Sequence, residues 1–210
     1  MGSAAAAAGP AAGEAATSAV GILGGTFDPV HNAHLAMARA ARAALGLSRV
    51  LWVPTGSPPY RRPPVACAED RVAMVKLAIA GEPRYALDER ELAPGASGYT
   101  FDTLVGLRAE LAPGAALVML IGSDQYAKLA TWHRAEELFG LCRFAVFARP
   151  GVRGADSGAP RHAIVHVPMP PLAISASELR TRIARGEDVS AMLPAAVWRY
   201  IREHRLYGHP

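Results

Sequence analysis

The sequence predicts an open α/β fold: a doubly wound parallel sheet covered by helices on both faces, giving three α/β/α layers. Three observations predict it. Short, continuous apolar runs, of which Ala116–Gly122 (Ala-Leu-Val-Met-Leu-Ile-Gly) is the clearest, read as strands buried on both faces. These runs alternate with amphipathic stretches of helical period, the order of βαβ units. The first strand runs into Gly24-Gly25 and then an Ala-rich helical pattern, the strand–turn–helix layout that holds a phosphate.

Taken in order, Ala19–Gly24 is the first strand and His31–Leu45 the first helix, stopped by Gly46. Arg49–Pro54 is the second strand. Thr55–Ala66 is a loop, because Pro58, Pro59, Pro63 and Pro64, with Pro54 just before them, remove donors and disfavour helix. Glu69–Ala80 carries apolar residues at helical spacing, and Tyr85–Asp88 is a short strand. Tyr99–Leu111 is a helix with Ser97 or Thr100 near its cap. After the central strand, Ser123–Leu129 and Arg134–Phe139 are short helices, then Arg143–Ala148 and Ala163–Val167 are strands. Arg149–Pro160 between them is an exposed loop rather than a boundary, since strands resume after it. Ser175–Arg185 and Pro194–Arg205 are the final helices, Pro194 suiting a first helical position. No internal repeat is visible. Residues 1–18, Ala/Gly-rich with the single charge Glu14, are expected to be a flexible tail, leaving 19–210 as one domain. The tail lacks the basic start and Leu-rich middle of a signal peptide.

Net charge is +4, which favours anionic ligands. Lys76 and Lys128 are the only lysines, and there is no basic run of the kind a nucleic-acid arm carries, so neither nucleic acid nor membrane is expected as a partner. No apolar run reaches the ~20 residues needed to cross a bilayer. Cys67 and Cys142 are far apart and form no metal-ligand spacing, consistent with reduced thiols and a cytoplasmic location. The oligomeric state is open, a homo-oligomer included.

Four places carry candidate chemistry. Gly24, Gly25, Thr26 and Phe27 lead into His31 and His34, which lie three apart on one helix face and can address one anion. Cationic imidazoles there would follow charge developing on a transferring phosphoryl group, with activity weakening as pH rises. Two ordinary helix histidines, or a metal site of Asp28, His31 and His34, are the plainer alternatives; the H-E-x-x-H pattern of a zinc helix is absent. The second place is Ile174-Ser175-Ala176-Ser177-Glu178-Leu179-Arg180. Ser175 and Glu178 make a capping box, while the same hydroxyls and Arg180 suit phosphate oxygens if the arginine bends back along its helix. Third, Gly122 and Asp124 sit at the end of the central strand, where Asp124 either caps a helix or accepts from ribose hydroxyls. Fourth, Trp132-His133 and Tyr99-Thr100 are either core and helix start, or a stacking surface for an aromatic ring.

In this order these motifs resemble the bacterial nicotinate-nucleotide adenylyltransferase family, within the nucleotidyltransferases that carry an H-x-G-H motif. The likeness runs from Gly24–Leu35 through Ser57-Pro58-Pro59-Tyr60-Arg61, Asp88–Glu91, Tyr99–Leu104, Ile121–Asp124, Thr131–His133, Ala148–Gly151 and Ile174–Arg180 to Leu193-Pro194 and Tyr200–Tyr207. Ala33 replaces the motif glycine, narrowing the approach of a phosphate by one methyl; Ala176 and Ser177 replace a serine and a threonine; Tyr60-Arg61 stand where His and a base are usual. The resemblance implies a Rossmann-like fold of nucleotidyltransferase type and adenylyl transfer from ATP to nicotinate mononucleotide. It implies contacts to the triphosphate from His31, His34, Ser175, Ser177 and Arg180, with Gly24, Gly25, Thr26, Phe27, Gly122, Asp124 and Ile174 completing the ATP site. Tyr99, Thr100, Trp132 and His133 would surround the nicotinate, and Arg61 and Arg149 would meet the mononucleotide phosphate. Mg²⁺ would ride on ATP phosphates, without a protein metal site. Two other readings remain: a related transferase acting on a different phosphate monoester, with ATP or CTP, and a non-catalytic nucleotide-binding module.

Overall fold

A computed structural model of the chain describes residues 19–56, 62–148, 158–170 and 172–209. Six strands form one sheet: β1 (Ala19–Gly25), β2 (Arg49–Pro54), β3 (Tyr85–Leu87), β4 (Ala116–Gly122), β5 (Arg143–Phe147) and β6 (Ile164–Val167). Their order is β3-β2-β1-β4-β5-β6, and all neighbouring pairs are parallel. Ile22 of β1 faces Leu51 of β2 on one side and Met119 of β4 on the other. The apolar runs therefore do what continuous apolar runs must: each residue goes to one face or the other, and both faces are covered.

Alternation along the strands builds two cores. Leu23, Val50, Trp52, Val118, Leu120, Ala145 and Phe147 pack on one face against α1 (Asn32–Leu45), α2 (Ala68–Ile79), α6 (Ala176–Ala184) and α7 (Ala195–Glu203). Ile22, Leu51, Val53, Leu117, Met119, Ile121, Phe144 and Val146 pack on the other against α3 (Thr100–Glu110) and α5 (Ala135–Leu141). Helix α1 turns Ala33, Met37, Ala38 and Ala41 inward and ends at Gly46 in the left-handed conformation (φ 60°), which glycine adopts without strain. Gly21 marks a close approach: a Cβ there would lie 2.7 Å from Leu47 Cδ1.

Every expected strand and helix is present within two residues of its expected ends, with one exception. The stretch expected as one helix over 123–129 splits into the short α4 (Ser123–Tyr126) and a 3₁₀ turn at Leu129–Thr131. Further 3₁₀ turns at Arg90–Leu92, Arg161–Ala163, Ser190–Met192 and Leu206–Gly208 had no periodic signature. No described helix is long and apolar enough to cross a membrane. The chain winds outward from β1 to β3, then returns to place β4 on the other flank of β1. The crevice between the carboxyl ends of β1 and β4 is thus the switch point, where ligands bind in open α/β sheets.

Candidate active site

At the switch point β1 delivers Gly24 and Gly25, and the chain crosses through Thr26–Val30 into α1. A Cβ on Gly24 would sit 3.2 Å from Met119 Cε, and one on Gly25 would sit 3.4 Å from the Phe27 ring. Phe27 takes a positive φ of 50° and is 1% exposed, its ring set against His34 and Trp52 at centroid distances of 5.1 and 5.5 Å. Its side chain is therefore an anchor of the turn; only its backbone is left to face a ligand.

The two histidines are brought together but are not equivalent. Their rings stack at 3.8 Å with an interplanar angle of 22°. His31 is the N-cap residue of α1 and is 2% exposed, while His34 is half-buried. The surface of the pair is thus His34. Its Nδ1 accepts a hydrogen bond from the His31 backbone N–H at 3.2 Å. This bond occupies Nδ1 and fixes the orientation of the ring. Ala33, at the motif glycine position, is 6% exposed, and its methyl belongs to the buried face of α1.

Arg180 bends back as required. Its Nη1 donates to the Asp28 carbonyl at 2.7 Å and lies 3.6 Å from Asp28 Oδ2. A residue 152 positions away is thereby set on the turn that precedes His31. At the start of the same helix Ser175 Oγ accepts from Glu178 N–H at 3.3 Å and sits 3.4 Å from Ser177 Oγ. Ile174 and Ser175 are half-buried and Ser177 is exposed. The Asp28 carboxylate accepts from Val65 N–H (2.8 Å) and Ala66 N–H (3.1 Å), so it faces donors and a guanidinium rather than a metal. Among the described residues no group of three His, Cys, Asp or Glu is placed to hold a metal ion.

Gly122 ends β4, and Asp124 follows on α4, half-buried, its Oδ2 accepting from Gln125. On the other layer, Tyr99 is the N-cap of α3 with no side chain capping the helix, and Thr100 opens it. The Tyr99 ring stacks on His133 at 4.3 Å. Trp132 is half-buried, edge-on to Phe144 at 6.3 Å, so it is part core and part surface. The structure thus brings the Tyr99 and His133 rings together at this aromatic corner, with Thr100 and Trp132 beside them in the chain. Arg61, Arg149 and the tail 1–18 lie outside the described residues.

Asp28 and Arg71 also frame the turn, beyond the metal-ligand alternative that the sequence offers for Asp28. Arg71, 2% exposed, donates from Nη1 to the carbonyls of Thr26 and Thr55, 2.8 Å each, tying together the ends of β1 and β2. Burial pushes its guanidinium below the ordinary range, and the charge of Asp28 is the first influence opposing that. A charged residue on the buried face of α2, beside Val72, Met74 and Val75, was the available signal.

Comparison with known proteins agrees with this architecture. A family model described as cytidylyltransferase-like matches residues 22–182. The probable nicotinate-nucleotide adenylyltransferase of Laribacter hongkongensis is 46% identical over 207 residues, covering 90% of this chain and 94% of its own. That of Bordetella petrii is 44% identical over 195 residues, covering 90% and 98%. The fold is also that of a Plasmodium falciparum nicotinic acid mononucleotide adenylyltransferase complexed with NaAD, with TM-score 0.77, 20% identity and coverage of 92% of this chain and 98% of that one.

Proposed function

Because the chain belongs to the nicotinate-nucleotide adenylyltransferase family, we propose that it transfers the adenylyl group of ATP to nicotinate mononucleotide, in the service of NAD biosynthesis. The observation that carries the reading is the convergence of Arg180 and the α1 entry, from opposite ends of the sequence, on one turn at the sheet's switch point. A phosphate oxygen of the mononucleotide attacks the α-phosphorus of ATP in line. The new P–O bond forms as the bond to the β-phosphate breaks, giving nicotinate adenine dinucleotide and pyrophosphate. No enzyme nucleophile is needed; positioning and charge stabilisation supply the rate.

In this proposal Gly24, Gly25, Thr26 and the Phe27 backbone line the floor beneath the triphosphate. The His34 Nε2–H donates to the α-phosphate, and His31, behind it, fixes its ring. Ser175, Ser177 and Arg180 hold the departing β- and γ-phosphates, with Ile174 shaping the approach. Gly122 and Asp124 seat the adenosine ribose. Tyr99, Thr100, Trp132 and His133 receive the nicotinate, whose carboxylate suits the N–H groups and positive end of α3. Arg61 and Arg149 are assigned to the mononucleotide phosphate. The donor set fits a Mg²⁺ carried on phosphate oxygens, because the Asp28 carboxylate is already committed to two backbone N–H groups. Bound there, such an ion would neutralise charge on the triphosphate. We place the enzyme in the cytoplasm, with its nucleotide substrates.

A pyrophosphate-release assay tests the reading. ATP with nicotinate mononucleotide should give the highest kcat/KM, above nicotinamide mononucleotide and above CTP. Greater activity with another phosphate monoester or with CTP points to a related transferase instead. ATP binding without pyrophosphate release from any pair points to a binding module.

A further inference from the structure

We propose that Asp28 is a positioning residue for this reaction: it holds the Arg180 guanidinium in place over the phosphate turn. This rests on the reading of Arg180 as a phosphate ligand. Asp28 is 3% exposed, and both carboxylate oxygens are tied by backbone donors, Oδ2 to Val65 N–H and Oδ1 to Ala66 N–H. The carboxylate therefore cannot turn away from its neighbours. Its own carbonyl accepts from Arg180 Nη1, which stands 3.6 Å from Oδ2. One residue thus grips the arginine twice, once through a backbone dipole and once through a fixed charge. Arg71 steadies the other side by holding the carbonyls of Thr26 and Thr55.

An arginine left to itself samples many rotamers, and ordering it at the moment of reaction is costly. A guanidinium already ordered by a rigid carboxylate meets the leaving phosphates without that penalty. Charge balance points the same way. One carboxylate, 3.6 Å from the Arg180 guanidinium and within electrostatic reach of the buried Arg71, is set against two guanidiniums, so the turn stays net positive, which leaves attraction for an incoming polyphosphate.

The test is a double-mutant cycle of Asp28→Asn with Arg180→Ala. An asparagine amide turns an N–H toward Val65 or Ala66 whichever way it sits, and it carries no charge for Arg180. Asp28→Asn should lower kcat about tenfold to thirtyfold, the equivalent of the rotamer freedom regained by one arginine. The KM for nicotinate mononucleotide should stay put. In the Arg180→Ala background the same substitution should cost less than about threefold, because the residue it acts through is gone. A structural role alone predicts equal losses in both backgrounds, and that result overturns the proposal. So does a folded Asp28→Asn enzyme with wild-type kcat. If Asp28→Asn fails to fold, Asp28→Ser takes its place in the cycle, keeping one acceptor and removing the charge.

Binding of inorganic tripolyphosphate, measured by calorimetry on the same four proteins, separates this idea from the assigned reaction. Asp28→Asn should weaken that binding only where Arg180 is present. If no acceptor supports pyrophosphate release, adenylyl transfer fails while the tripolyphosphate cycle still decides the role of Asp28. A wild-type chain that neither turns over nor binds tripolyphosphate overturns the proposal, since Arg180 then has no phosphate to be positioned against.

Discussion

Replacing His34 separates its two jobs. Its Nδ1 serves the fold by accepting the His31 N–H at the start of α1, and its Nε2 is the donor assigned to the α-phosphate. His34→Ala removes both. The lost cap is worth about 1 kcal/mol, and the lost ring contacts with His31 and Phe27 about 0.5–1.5 kcal/mol. Together these total roughly 2 kcal/mol, a melting-point drop of roughly 4–8 °C in a domain of this size, which leaves the protein folded. The chemical loss is larger: a missing transition-state donor costs ~10²–10³ in kcat. Two further variants split the effects. Asparagine places an oxygen near the position of Nδ1 but nothing at Nε2; glutamine places an amide nitrogen near Nε2 but leaves the cap unfilled. His34→Asn should therefore melt close to wild type and turn over as poorly as His34→Ala. His34→Gln should melt like alanine and recover part of the rate. Differential scanning calorimetry and pyrophosphate release under saturating substrates give the two orderings. A folded His34→Asn enzyme within about fivefold of wild-type kcat refutes the assignment of Nε2.

Trp132→Leu keeps apolar volume against Phe144 but removes the indole face. The KM for nicotinate mononucleotide should rise about tenfold and that for ATP should not move; equal rises would make Trp132 purely a core residue. Cys142 supplies the pH prediction. Burial pushes its thiol up to about 12, above the ordinary 9.0. A folded value raised above the unfolded one contributes stability that is complete below the unfolded value and is lost as pH climbs toward the folded one. By pH 10 the loss is about 1.4 kcal/mol. Wild type should therefore lose more stability than Cys142→Ala between pH 8 and 10 in denaturant titrations. At pH 8 a thiol reagent should modify exposed Cys67 in the native protein and reach Cys142 only on unfolding.

The strands were legible because a doubly covered sheet demands unbroken apolar runs, and Arg49–Pro54 and Ala116–Gly122 are found with the ends the sequence predicts. The helices were legible from period and caps: Ser175 does cap α6, and Gly46 does stop α1. What the sequence could not show was which member of a motif is inside. His31 and His34 look alike in a string, and only packing buries one beneath the other. The partner of His34 Nδ1 was hidden for the same reason, since it is a backbone N–H. Asp28 was illegible because its partners are main-chain groups of Val65 and Ala66, 37 and 38 positions away, which carry no side-chain signature. The 3₁₀ turns are too short to show a period.

The sheet separates two sets of interests. The elements assigned to the triphosphate, α1 and α6, share one core; those assigned to the acceptor, α3 and the 129–131 turn, share the other. On that assignment, residues that choose the acceptor could be exchanged by repacking one layer, while Arg180 and the two histidines on the opposite layer would keep their support. Such a molecule can acquire a new acceptor by drift on one side and still break the same bond in ATP.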